Sequence, residues 1–148
     1  MNRCVINLDN LAQTQKLAGA LAALVQPSSV ILLKGDLGSG KTTFAQYFIK
    51  ALCPEQSNIT SPTFNLVHTY KTVRFDIWHF DFYRLKHIEE MYELGIEDAL
   101  KYGVSLIEWP EIIENFLNVN NKITVHFQSF YDNNKRIVEI TANGIFLI

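Results

Sequence analysis

Residues 30–43 read Val-Ile-Leu-Leu-Lys-Gly-Asp-Leu-Gly-Ser-Gly-Lys-Thr-Thr, and no other stretch restricts the chain so strongly. Four apolar residues make a buried strand, the glycines make a turn, and the residues after Gly40 open a helix whose apolar positions are Phe44, Ala45, Phe48, Ile49 and Leu52. Gly35, Gly40, Lys41 and Thr42 satisfy the phosphate-binding pattern G-x-x-x-x-G-K-[ST] at every specified position. The spacing has a chemical reason. A polyphosphate needs many hydrogen-bond donors around it, and backbone N–H groups are their densest source. Gly35, Gly38 and Gly40 let the backbone take dihedrals that other residues resist, with no side chain in the phosphate's way. The helix that follows points its unpaired N–H groups and positive dipole end at the same anion. The whole stretch Gly35, Asp36, Leu37, Gly38, Ser39, Gly40, Lys41, Thr42 and Thr43 is thus the candidate nucleotide-binding segment. Lys41 is expected to reach the β/γ-phosphates and the Thr42 hydroxyl to bind Mg²⁺.

The rest of the chain reads as alternating strands and helices. Residues 4–8 form a short strand; Asp9 or Asn10 caps a helix, with Gln13 three residues after Asn10, and Leu17, Ala18, Leu21, Leu24 and Val25 share its apolar face. Pro27 and two serines end it. A connector with Pro54 follows the loop helix. A strand starting at Phe64 and a partner over Val73 to Asp81 make a hairpin about Lys71-Thr72. Residues 86–101 form one or two helices broken near Gly95, Val104 to Ile107 a short strand ending at Glu108, and Pro110 the first turn of a helix through Ile112, Ile113, Phe116 and Leu117. Ile123–Phe130 and Arg136–Ala142 alternate across residues 131–135 as a second hairpin, and Ile145–Ile148 adds a terminal strand. The expected fold is one α/β domain of 148 residues, P-loop NTPase-like, with a mixed β-sheet flanked by helices and a C-terminal antiparallel hairpin.

Composition bears on partners and location. A net charge of −2 with only four arginines argues against a chain that grips nucleic acid by itself. Cys4 and Cys53 stand far apart without a C-x-x-C, which reads as two buried thiols in a reducing cytosol. Asp9 interrupts the first apolar run, and no apolar stretch approaches the ~20 residues of a membrane span, so a soluble cytoplasmic protein is expected.

A phosphate loop alone does not say what becomes of the nucleotide. Hydrolysis needs acids for the metal and for orienting water, and ligand crevices in doubly wound folds lie at the carboxyl ends of strands. Asp81 and Glu108 occupy such ends. Thr63, in Ser61-Pro62-Thr63 before a strand, offers a hydroxyl to Mg²⁺ or to the γ-phosphate. In the run from His79 to Arg84, a strand would place His79, Asp81 and Tyr83 on one face. His79 is either a general base or a histidine hydrogen-bonded beside Asp81. Arg84 either stabilises transition-state charge or pairs with a surface carboxylate. Glu89, Glu90, Glu93, Glu97 and Asp98 form a solvated acidic face or a docking surface for a basic partner. Trp109 packs beside Glu108 or gates the site. The helix start around Asn10–Thr14 is a candidate to hold the adenine ring.

With these residues assembled, the chain resembles the TsaE (YjeE) family of small bacterial P-loop ATPases of tRNA threonylcarbamoyladenosine biosynthesis. The likeness is carried by the loop 35–43 and by Ser61-Pro62-Thr63-Phe64, His79-Phe80-Asp81-Phe82-Tyr83-Arg84-Leu85, Leu94-Gly95-Ile96-Glu97-Asp98 and Ile107-Glu108-Trp109-Pro110-Glu111, in the family's order. Ser39 stands where an alanine is usual, which is expected to add a hydroxyl near the phosphates; the C-terminal part matches weakly. The resemblance implies an ATPase using ATP and Mg²⁺ that docks on the TsaB–TsaD pair, with TsaC in the same pathway and tRNA reached only indirectly, and that resets the complex between turnovers. By the same resemblance Thr42 and Glu108 ligate Mg²⁺, Asp81 is the Walker-B-like acid, and the segments around Thr63 and Asp81 are switches; Lys41, Thr63, Asp81 and Glu108 are then the catalytic set. Two other readings stand beside this one. One is a nucleotide-dependent binding module without essential turnover, the other a small-molecule kinase, for which four scattered arginines make a poor lid. A GTPase is disfavoured, because neither Asn121-Lys122 nor Asn134-Lys135 continues into the guanine-reading N-K-x-D.

Overall fold

The computed structural model describes residues 2–117, 119–129 and 136–143, and a seven-stranded sheet runs through them. In chain order the elements are β1 (Asn2–Leu8), α1 (Leu11–Ala22), β2 (Val30–Lys34), α2 (Lys41–Leu52), β3 (Val67–Lys71), β4 (Asp76–Asp81), α3 (Glu90–Glu93), α4 (Ile96–Tyr102), β5 (Val104–Glu108), β6 (Lys122–Ser129) and β7 (Arg136–Ala142). Two 3-10 turns, Pro110–Ile112 and Glu114–Phe116, lie between β5 and β6. The strand order is β1-β7-β6-β2-β5-β4-β3. Strands β6, β2, β5 and β4 run parallel, and antiparallel partners continue the sheet on both sides: β7 and β1 beyond β6, β3 beyond β4. The mixed α/β architecture and the antiparallel β6–β7 pair agree with expectation. The turn at 131–135 and the strand at 145–148 lie outside the described residues. Among those described, no helix is long and apolar enough to cross a membrane.

The pleat sorts the apolar residues onto two faces. Ile31, Leu33, Ile77, Leu106 and Val125 pack with Ala18, Leu21, Phe44, Phe48 and Ile49 of α1 and α2. Val30, Leu32, Phe80 and Ile107 pack instead with Met91, Ile96, Ala99 and Ile113. The first four residues of β2 are fully buried, as a central strand covered on both faces requires. At roughly 1.5–3 kcal/mol for each large apolar side chain taken out of water, these two layers hold α2 and the strand ends in place.

Local hydrogen bonds explain where the element boundaries depart from the alternation. Asn10 caps α1, its side chain accepting from Gln13 N–H at 2.9 Å, but the helix ends at Ala22, well before Pro27. β3 begins at Val67 rather than Phe64, because Leu66 N–H turns back to Pro62 O and Leu66 takes a positive φ of 68°. β4 begins at Asp76 rather than Val73. Thr72 Oγ1 donates to Phe75 O at 2.6 Å and accepts from Phe75 N–H at 3.1 Å, which commits residues 72–75 to the turn. The break at Gly95 is present, with φ 89°, and leaves two short helices. The helix expected from Pro110 is replaced by the two 3-10 turns. Cys53 is buried, but Cys4 is exposed because β1 is an edge strand.

Two glycines test this packing in opposite directions. A Cβ on Gly95 would fall 2.6 Å from the Trp78 ring at positive φ, so Gly95→Ala should cost about 1–3 kcal/mol. A Cβ on Gly19, in the middle of α1, meets nothing within 4 Å, so Gly19→Ala should stabilise by about 0.5–1 kcal/mol. Urea unfolding midpoints of both variants against the parent check the two signs.

Candidate functional site

The parallel registers bring the strand ends together. Leu33 of β2 is level with Glu108 of β5, and Glu108 is level with Asp81 of β4. Paired residues share a face, so both acids project on the side covered by α2, whose first residue is Lys41. A cavity of about 870 Å³ opens there. Leu37 to Thr43, Ser61, Thr63, Asp81 and Glu108 line it, and so do Asp9, Asn10, Leu11 and Thr14.

The phosphate loop has the backbone that its glycines predict. Gly35, Gly38 and Gly40 all take positive φ, of 143°, 76° and 114°, and Gly40 is the residue from which α2 starts. A Cβ at Gly35 would meet Phe127 O at 2.8 Å, so that position has no room for a side chain. Lys41 is buried. Its Nζ donates to Gly35 O and, at 3.4 Å, to Asp36 O, and lies 3.4 Å from the centroid of the Trp109 ring. Burial pushes its pKa below the ordinary lysine value, against the pull of Glu108, Glu111, Asp81 and Asp36. Trp109 reaches this position through a left-handed backbone, φ 55° and ψ 58°, directly before Pro110. A residue before proline favours extended dihedrals, so the local cost is roughly 1–3 kcal/mol.

The acids divide into two sets. Thr42 Oγ1 donates to Glu108 Oε1 at 2.9 Å, and Glu108 Oε2 meets His79 Nε2 at 2.6 Å; Glu108 and His79 are both buried. Asp81 Oδ1 accepts from Tyr83 N–H at 3.0 Å, while Asp81 Oδ2 has Ser61 Oγ at 3.3 Å and Thr63 Oγ1 at 3.5 Å. Ser61 Oγ and Thr63 Oγ1 are 2.9 Å apart. Arg84 lies over the exposed Phe64 ring at 4.7 Å, and Tyr83 packs against Trp109 with ring centroids 4.8 Å apart.

Most residues singled out from the sequence converge here, and the exceptions have clear causes. Gly35 and Asp36 are not in the cavity lining; their carbonyls receive Lys41 instead. His79 bonds Glu108, not Asp81; Tyr83 lies beyond β4, which stops at Asp81, and still lines the cavity. The Ser39 hydroxyl is buried and has no hydrogen-bond partner among the described residues. It stands where a Gly35 Cβ would come within 2.6 Å. Glu89, Glu93, Glu97 and Asp98 are exposed and line no part of the cavity. Arg136 escaped sequence reasoning altogether. From the start of β7 it donates to Ser39 O at 3.0 Å and Gly38 O at 3.3 Å, and it lines the cavity. No local pattern marks it, because the contact spans 97 residues.

A glycine loop between a central parallel strand and a helix start, faced by acids from two neighbouring strand ends, defines a P-loop NTPase-like α/β domain. Comparison with known proteins narrows the class. The family model described as "Threonylcarbamoyl adenosine biosynthesis protein TsaE" matches residues 8–138. A Rickettsia felis protein named "tRNA threonylcarbamoyladenosine biosynthesis protein TsaE" is 50% identical over 93% of this chain and 79% of its own. A Bacillus subtilis protein of the same name is 36% identical over 73% of this chain and 67% of its own. The crystal structure of Bacillus subtilis YdiB superposes with a TM-score of 0.75 at 28% identity, covering 97% of this chain and 87% of that one. The chain belongs to the TsaE family of tRNA threonylcarbamoyladenosine biosynthesis.

Arg136→Ala should free the loop carbonyls that the guanidinium holds. Bonds to charged groups are worth about 1.5–3 kcal/mol, so amide hydrogen exchange over residues 38–41 should quicken by about tenfold or more. Exchange measured by mass spectrometry on that peptide checks this, with α1 as an internal control.

Proposed function

We propose that this TsaE-family chain binds and hydrolyses ATP with Mg²⁺ as an accessory protein of tRNA N6-threonylcarbamoyladenosine modification, acting as a nucleotide-driven switch on the TsaB–TsaD complex. The observation that carries the reading is the contact of Thr42 Oγ1 with Glu108 Oε1 beside the phosphate loop. A hydroxyl and a carboxylate at the start of the loop helix are hard oxygen donors of the kind Mg²⁺ prefers. Among the described residues no group of three or more His, Cys, Asp or Glu forms a cage. The ion's other ligands would be phosphate oxygens and water. Bound there, Mg²⁺ would neutralise charge on the phosphate oxygens.

The remaining roles follow from chemistry. The backbone of residues 35–43 would cradle the phosphates, and Lys41, whose charge burial disfavours, would gain an anion that favours it. Asp9, Asn10, Leu11 and Thr14, which line the same cavity, would hold the adenine. Asp81 would orient the attacking water, with Thr63 next to it. The Ser61 and Thr63 contacts to Asp81 are long, so this corner is loosely tied and open to ordering by a partner. With net charge −2, the chain would act on a protein complex and meet tRNA only through it, in the cytoplasm.

ATP turnover with and without TsaB–TsaD tests the proposal. Turnover should be slow alone and rise with the complex; background turnover in both would overturn hydrolysis. Many rounds of tRNA modification with a non-hydrolysable analogue would favour the binding-module reading instead. Lys41→Ala should abolish triphosphate binding, measured by calorimetry. Glu108→Ala should keep nucleotide affinity but lower Mg²⁺-dependent turnover by about 10²-fold or more, as loss of transition-state electrostatics does.

A further inference from the structure

His79 is the one fully buried titratable side chain at the site for which the proposed reading has no task. It sits on β4 between Ile77 and Asp81, level with Leu106 of β5, and faces the α1–α2 layer. An imidazole in such surroundings is costly unless it is hydrogen-bonded. Among the described residues its Nδ1 has no partner, and its Nε2 is 2.6 Å from Glu108 Oε2. An ionised carboxylate only accepts, so the network assigns the proton to Nε2, which donates to Glu108. All of the ring's hydrogen bonding is therefore directed at one oxygen of one carboxylate. The other oxygen of that carboxylate takes the Thr42 hydroxyl at 2.9 Å.

We infer that His79 is the positioning residue of the divalent-cation site: its Nε2–H pins Glu108 from behind, so that Oε1 stays turned toward Thr42 and the phosphate loop. The inference rests on the reading of Thr42 and Glu108 as cation ligands. A glutamate has several rotatable bonds, and fixing them in advance removes an ordering cost from cation binding. Hydrogen bonds behind a metal-ligating carboxylate typically set 10–100-fold in affinity. A histidine that merely filled the core would be replaceable by an apolar side chain of similar size without effect on the cation.

Mn²⁺ titration followed by electron paramagnetic resonance, on the full chain in its ADP complex, separates these roles. His79→Leu should weaken Mn²⁺ by about 10–100-fold and leave ADP affinity in chelator unchanged. His79→Gln, whose amide N–H can reach toward Glu108, should recover most of the loss, whereas His79→Asn, a carbon shorter, should not. Equal Mn²⁺ affinity in His79→Leu and the parent overturns the inference, as does a loss in His79→Gln as large as in His79→Leu. If His79→Leu does not fold, the Gln and Asn variants carry the comparison, and equal affinity in those two overturns it. Parent-like Mn²⁺ binding by Glu108→Ala would overturn the ligand assignment itself, which is a separate failure.

Discussion

The site depends on the parallel ladder that joins β2, β5 and β4. Its register sets Leu33 opposite Glu108 and Glu108 opposite Asp81, so that two acids end on one row beside the glycine loop. Alternation then decides which face they take. With Leu106 and Val104 packed toward α1 and α2, Glu108 faces the same way. A slip of one residue would turn Glu108 to the opposite face and expose the apolar rows to the wrong layer. The two hydrophobic clusters therefore specify the site's geometry as well as the stability of the sheet.

On that frame the polar groups form a chain in which each member limits the next. His79 holds one oxygen of Glu108, and the other meets Thr42 at the first turn of α2. One residue earlier, Lys41 is held against Gly35 O, Asp36 O and the Trp109 ring. Its burial outweighs the attraction of four carboxylates, so its pKa falls. Asp81 is different: its partners are two long side-chain contacts and one backbone N–H, not Thr42 or His79. Short contacts at Glu108 and longer side-chain contacts at Asp81 distinguish the two acids.

Much of this was legible in the chain. The run Val30 to Thr43 is a strand, a loop and a helix because each part has its own period and its own turn chemistry. Asn10 and Gly95 act where local capping and backbone freedom place them. Boundaries failed where a side chain or a tertiary contact competes with alternation. Thr72 ties down the hairpin turn, Leu66 N–H returns to Pro62, and the segment after Pro110 winds into short 3-10 turns. Asp81 and Glu108 were recognisable as acids at strand ends. The partner of His79 and the hold of Arg136 on the loop were not.

The sequence by itself determined the element order, the buried central strand, the phosphate-loop backbone and the family. These rest on local spacing and on residue types within a few positions of one another. Only the tertiary structure decided which other groups meet: Glu108 with His79, Lys41 with Trp109, Arg136 with Ser39. Those contacts join residues 29 to 97 positions apart. Strand register and the closing of β7 beside the loop bring them together, and no local periodicity encodes either.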